Sequence, residues 1–193
     1  MKRLMHLKVT ICSALLLLGG TAQGASKSWY ENFEIGYAIP SYNATTSATI
    51  DAFKSQGATS MPIGGGFGVY LPVIKDKTLL GLAFHGVGDL YSTAGQSMVF
   101  IQAGIGLSLI HSFGSEPGSG LYLRGDGGVG ALSVLTTPGS STMSSLGPHA
   151  LVGTGYGFNI TSDIHMMFST NYSVQNIDGI NNSALDFMIN FMR

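Results

Sequence analysis

Few side chains in this sequence could carry charge chemistry. Those that matter most share one parity of the alternating segments described below: Glu34, Arg124, Asp126 and Asp186, with His85, His149 and His165. Carboxylates gathered in a confined space repel one another unless a cation compensates them. Glu34 and Asp186 each sit a few residues from the same end of the first and last segments, the two that must pair if the sheet closes. Arg124 is the only Lys or Arg of this parity and falls at similar depth across the interior. The pattern predicts an internal polar network of Glu34, Arg124, Asp126 and Asp186, joined by His85 and His165, that plugs a narrow lumen.

Catalysis is the competing chemistry. Ser144, Ser145 and His149 lie close in sequence, and a hydroxyl nucleophile needs a base beside it. No Asp or Glu neighbours them, so Asp89 or Asp178 would have to approach in space. Serine-rich stretches are usually solvated, so no catalytic residue is assigned and the chain is not expected to be an enzyme. The histidines His85, His111, His149 and His165 form no i, i+2 pair on one segment, so no metal site is expected. No cofactor is expected either. The glycine runs at 64–68, 125–128 and 153–157 lack the GxGxxG spacing and strand–loop–helix setting of a nucleotide site.

The elements that must position these residues are strands. Over 193 residues, a one-domain length, 45% are apolar and only 10% charged. Soluble domains carry about 25% charged residues, so much of this surface is not built for water. The near-neutral balance offers no basic footprint for nucleic acid. Residues 1–24 read as a signal peptide, leaving 25–193 as one domain: Lys2, Arg3 and Lys8 are basic, 9–18 is an apolar run, and Ala22-Gln23-Gly24 supplies small residues for cleavage within 22–25. That run is shorter than the roughly 20 residues of a spanning helix. Cleavage would remove Cys12, the sole cysteine, and leave six Lys/Arg against ten Asp/Glu.

Eight segments then alternate apolar with small or polar residues: 31–39, 62–71, 78–88, 97–110, 121–132, 148–158, 164–174 and 183–191. Period two places successive side chains on opposite faces of a strand. The first, for example, sets Phe33, Ile35, Tyr37 and Ile39 against Glu34, Gly36 and Ala38. An even number closes an antiparallel sheet with both ends on one side, and membrane barrels combine short periplasmic turns with longer outer loops. Here 72–77, 111–120 and 159–163 read as the turns, and 41–61, 89–96, 133–147 and 175–182 as the loops. Abundant glycine suits the narrow interior of an eight-stranded barrel. Trp29 and Tyr30, just before the first segment, suit the membrane-interface belt. The expectation is all-β: an eight-stranded antiparallel transmembrane β-barrel with periplasmic termini.

The leader, the eight segments and the terminal stretch Ala184-Leu185-Asp186-Phe187-Met188-Ile189-Asn190-Phe191 resemble the small outer-membrane β-barrels of the OmpA and OmpW kind. The resemblance implies a cell outer membrane of a Gram-negative bacterium, reached through the general secretory pathway. Phe187, Ile189 and Phe191 then look like the C-terminal signal read by barrel-assembly machinery, although Met192 and Arg193 follow it. OmpA-type barrels carry internal salt-bridge networks, which agrees with the plug above. Implied partners are outer-membrane lipid and lipopolysaccharide. Loop 41–61, where Tyr42, Ile50, Phe53 and Met61 stand among polar residues, is read as a site for a surface ligand or a cap over a small-molecule entrance, although amphipathic loop residues more often pack against the barrel rim. A monomer is expected. Function is read first as a structural or weakly permeable, porin-like barrel with surface-exposed loops. The alternatives are OmpW-like uptake of a small hydrophobic molecule and, through Ser144, Ser145 and His149, modification of lipid A.

Overall fold

Alternation along the chain becomes a closed sheet. The computed structural model describes residues 28–74, 77–93, 95–137 and 139–193. The leader assigned to 1–24, and the boundary after it, lie outside the described residues. The strands are β1 (Tyr30–Ser41), β2 (Thr59–Ile74), β3 (Thr78–Ser92), β4 (Ser97–Ser112), β5 (Gly120–Thr137), β6 (Ser141–Met143), β7 (Gly147–Asn159), β8 (His165–Ile177) and β9 (Ile180–Met192), with one helix, α1 (Ala44–Lys54). Eight of the strands form the ring β1-β2-β3-β4-β5-β7-β8-β9 and back to β1. Every pairing is antiparallel. The short β6 is an appendage: it pairs with Ser133–Leu135 of β5, beyond the point where the β5–β7 ladder ends at Gly130 and Gly147.

Parity sorts the two faces as the sequence predicts. Phe33, Leu82, Phe84, Leu107, Val152 and Phe187 point outward and are exposed, while Glu34, His85, Ser108, Leu151, Asn171 and Asp186 point inward and are buried. The strands run longer than the predicted segments, so the loops shrink. Segment 175–182 is mostly strand, closed by a tight β8–β9 turn at Asp178 and Gly179 with φ of 52° and 79°. Two left-handed residues are what a type I′ hairpin turn requires.

Segment 41–61, predicted as an open loop, contains α1 instead. Asn43 caps it, its side chain accepting from the Thr46 backbone N–H at 3.1 Å. That cap satisfies one of the orphan N–H groups of the first turn. Ile50 then packs on the inner-face residues Tyr91, Met98 and Phe100 at the mouth of the barrel, with Tyr42 and Phe53 against the same cluster. Of the apolar residues in this segment, Tyr42, Ile50 and Phe53 pack on the barrel, the rim packing that such residues more often adopt, and Met61 is exposed on β2.

Glycines on the inner face act as sockets for large neighbours. A Cβ on Gly155 would lie 2.7 Å from the Tyr122 ring and would also collide with the Phe168 carbonyl. Gly155→Val should lower unfolding stability by about 1–3 kcal/mol, the usual cost of overpacking. Urea titration of the folded barrel in lipid vesicles checks this; an unchanged midpoint would contradict the packing.

Candidate functional site: a sealed lumen and a side seam

The end of the barrel that carries Tyr30 and Arg193 is floored by side chains. Tyr70, Leu79, Ile110, Tyr122, Met167 and Met192 are each at most 2% exposed and, with Tyr30 and Ala83, form one apolar cluster. Tyr70 Oη and Ser108 Oγ share a hydrogen bond of 3.1 Å, which gives a buried phenol the partner it needs. Tyr30, predicted at the membrane interface, is thus part of this floor. Its even number puts it on the parity of Asn32 and Glu34, and that parity faces inward. Trp29 is half-exposed.

Above the floor, charged groups cross the lumen. Arg124 on β5 donates from Nε to both Asp126 oxygens at 3.0 Å and from Nη2 to Asp126 Oδ2 at 2.6 Å. Its Nη1 reaches Glu34 Oε1 on β1, to which Asn32 also donates at 2.8 Å. His85 on β3 stands between two carboxylates, with Nε2 3.0 Å from Asp186 Oδ2 and Nδ1 3.6 Å from Glu34 Oε2. Asn171 on β8 donates to Asp186 Oδ1 at 2.7 Å. Five strands are tied in one network.

The structure therefore brings together Glu34, Arg124, Asp126, His85 and Asp186, while His165 stands apart. It is buried near the floor, with Nδ1 2.8 Å from Asn159 Oδ1. Asp186 also differs from its predicted depth. It pairs with Ala38, whereas Glu34 pairs with Asn190, so the two carboxylates lie on different levels and His85 bridges them. The amide and hydroxyl partners Asn32, Asn171, Asn190 and Ser169 were not predicted as site residues, although their inward parity was the available signal. Asn190 donates to Ser169 Oγ at 2.9 Å.

The candidate catalytic residues separate. Ser145 Oγ donates directly to Asp178 Oδ2 at 2.7 Å on the exposed surface, and Ser144 Oγ donates to the Ser145 carbonyl at 2.9 Å. His149 is instead buried on the inner face, its ring filling the space left by Gly104. Asp89 is buried near Tyr42 and Tyr91. His111 lies in β4 rather than a turn, its Nδ1 2.8 Å from Thr78 Oγ1. Among the described residues no three His, Cys, Asp or Glu side chains converge as metal ligands.

Sequence reasoning missed an interruption in the wall. The β1–β2 ladder runs from Tyr30–Tyr70 only to Gly36–Gly64. Beyond it, residues 37–41 of β1 pair with β9, and 59–63 of β2 pair with β3, but neither pairs with the other. Pro40 and Pro62 lie on the facing edges, and a proline cannot donate to a ladder. An open cavity of about 550 Å³ occupies this seam beneath α1, between Ile39 and Pro62 on its edges and Ile50, Lys54, Asp89 and Tyr91 farther in.

No protein-family model matches the sequence, and no curated protein does. Among solved structures, the fold is similar to Neisserial surface protein A (NspA), at TM-score 0.56 and 13% identity over 86% of this chain and 98% of that one. It is also similar to Ail, the attachment invasion locus protein of Yersinia pestis, in complex with the heparin analogue sucrose octasulfate, at TM-score 0.51 and 12% identity over 86% of this chain and 100% of that one. The chain thus has the fold of the small eight-stranded outer-membrane β-barrels.

Arg124 compensates two carboxylates at once. Arg124→Met should leave buried Glu34 with only His85 facing it and Asp126 without its cation, and cost about 3–5 kcal/mol, the range for breaking a buried ion pair from one side. The double variant Arg124→Met/Glu34→Gln should recover part of that loss. A double-mutant cycle on urea unfolding reads the coupling, and simple additivity of the two changes would disprove it.

Proposed function

We propose that this chain is a monomeric barrel of a Gram-negative outer membrane, a structural and at most weakly permeable component with surface-exposed loops. The observation that carries this reading is the outward face. Phe33, Leu82, Phe84, Leu107, Val152 and Phe187 are each 37–63% exposed, on strands all around the ring. Soluble monomers rarely expose contiguous apolar patches beyond a few hundred Å², whereas hydrocarbon favours such a band on a closed barrel. Closure within one chain also argues for a monomer, because the ring closes on itself and the edges that part at the seam carry Pro40 and Pro62, which cannot donate to a strand of a second copy. In this orientation the floor end lies in the periplasm and α1 faces outside.

Export would use residues 1–24. Phe187, Ile189 and Phe191, all outward on the closing strand β9, would present the assembly signal. Lipid and lipopolysaccharide would contact the apolar band. The sealed floor and the ion-pair layer support low permeability, and the separation of His149 from Ser144 and Ser145 favours a non-enzymatic role. Full-length chain expressed in a Gram-negative host should sediment with the outer membrane, migrate faster on SDS gels unheated than boiled, and give no stable open channels in planar bilayers. Identical migration of heated and unheated samples would defeat the barrel reading, and large steady conductance would defeat the sealed one.

The seam favours a second reading, sideways passage of a small hydrophobic molecule. Ser41 lines its cavity and is exposed. Ser41→Trp should obstruct the cavity and reduce uptake of a small hydrophobic dye into vesicles by about tenfold, with the unheated gel mobility retained. Equal uptake by both forms would remove this reading.

A further inference from the structure

Asp89 stands out among the acidic groups of the inner face. Glu34, Asp126 and Asp186 each meet Arg124 or His85. Asp89 is 8% exposed, yet among the described residues it makes no salt bridge. Its polar neighbours are the neutral Tyr42 and Tyr91 hydroxyls, and a carboxylate withdrawn from water without a cation is costly. It lines the seam cavity, where α1 adds a second carboxylate, Asp51, and one cation, Lys54.

Two aromatic rings complete the surroundings. Tyr42 and Tyr91 flank the cavity and both rest on Phe100, with ring centroids 5.6 Å and 6.2 Å away. Burial, and then the Asp89 charge, hold the Tyr42 phenol above its usual range, so it remains a neutral hydroxyl. Lys54 Nζ lies 5.6 Å from the Tyr91 ring centroid, so the position over this ring already accepts an ammonium group. The outer lip of the cavity is apolar: Tyr37 and Ile39 line it and are half-exposed on the outer face.

We propose that the seam cavity binds an organic ammonium ion carrying an apolar tail, its head held by the Asp89 carboxylate and the Tyr42 and Tyr91 rings. A carboxylate with aromatic faces is the chemistry that recognises alkylated ammonium groups. The tail would leave through the seam past Tyr37 and Ile39. This deepens the sideways-passage reading and shares its cavity, but binding and passage are read by different measurements.

The test is isothermal titration of the refolded full chain in a non-ionic maltoside detergent with hexyltrimethylammonium, hexyl sulfate and hexanol. Saturable binding near one equivalent is expected for the ammonium alone. Asp89→Asn should weaken it at least tenfold, Tyr91→Leu severalfold, and Asp178→Asn, in the β8–β9 turn and outside the cavity lining, not at all. Unheated gel mobility confirms that each variant is folded. Absence of saturable binding, equal binding of all three probes, or unchanged affinity in Asp89→Asn overturns the proposal. Selective binding without dye uptake by the parent chain would support the site and remove only the passage reading. Uptake without ammonium selectivity would do the reverse.

Discussion

A sheet facing hydrocarbon has no water to satisfy a free backbone edge, so its first and last strands must find each other. Here β1 and β9 pair from Asn32–Met192 to Ser41–Ser183, and Glu31 and Arg193 exchange two further backbone bonds below that. This one pairing sets the inner and outer faces for the whole chain. With Phe33 opposite Phe191 and Glu34 opposite Asn190, apolar residues go outward and polar ones inward. A shift of one residue would exchange the faces. Met192 and Arg193, which look superfluous to a terminal aromatic signal, extend the closure: Met192 pairs with Asn32 and is fully buried in the floor.

The closure makes the interior narrow, and narrowness governs its chemistry. Charges so confined lose water and must be offset by one another. Glu34 shows how far the sharing goes: Arg124 and Asn32 contact one oxygen, and His85 faces the other. Glycine makes room for this. A Cβ on Gly66 would crowd the Glu34 carboxylate at 3.1 Å, and one on Gly104 would overlap the His149 ring. The glycine runs and the sparse inner charges are therefore two halves of one arrangement.

Much of this was legible because parity is a rigid rule. Period-two alternation gave the eight ring strands, their two faces and five of the residues that meet in the lumen. It also contained the correct placement of Tyr30, which its aromatic character obscured. Depth was less legible than face, because stagger between strands is a tertiary property: Asp186 sits level with Ala38, not with Glu34. Helix α1 was hidden for another reason. Its sequence, ATTSATIDAFK, is rich in Thr and Ser, which are weak helix formers, and it is set by the Asn43 cap and by Ile50 finding the barrel mouth. The seam left only two prolines as a trace.

The placement of α1 and the break in the wall together leave one side of the barrel open. A route along the axis would meet the buried tyrosines and methionines of the floor, and before them the Arg124 layer. The open direction is sideways, where β1 and β2 part. Zipping the seam shut would require ladder bonds that Pro40 and Pro62 cannot donate, so the gap is supported by covalent structure as well as by side-chain packing. The helix lies over this gap and is moored at its start to a third strand: Asn43 bonds Asn182 of β9 through both its backbone N–H and its side chain. A cap fastened to β9 covers the mouth without supplying the ladder bonds that β1 and β2 lack beyond Gly36 and Gly64. Discrimination at such an opening would depend less on bore than on the groups lining it, and those are set by the inward parity of β3, which delivers Asp89 and Tyr91 beneath the helix.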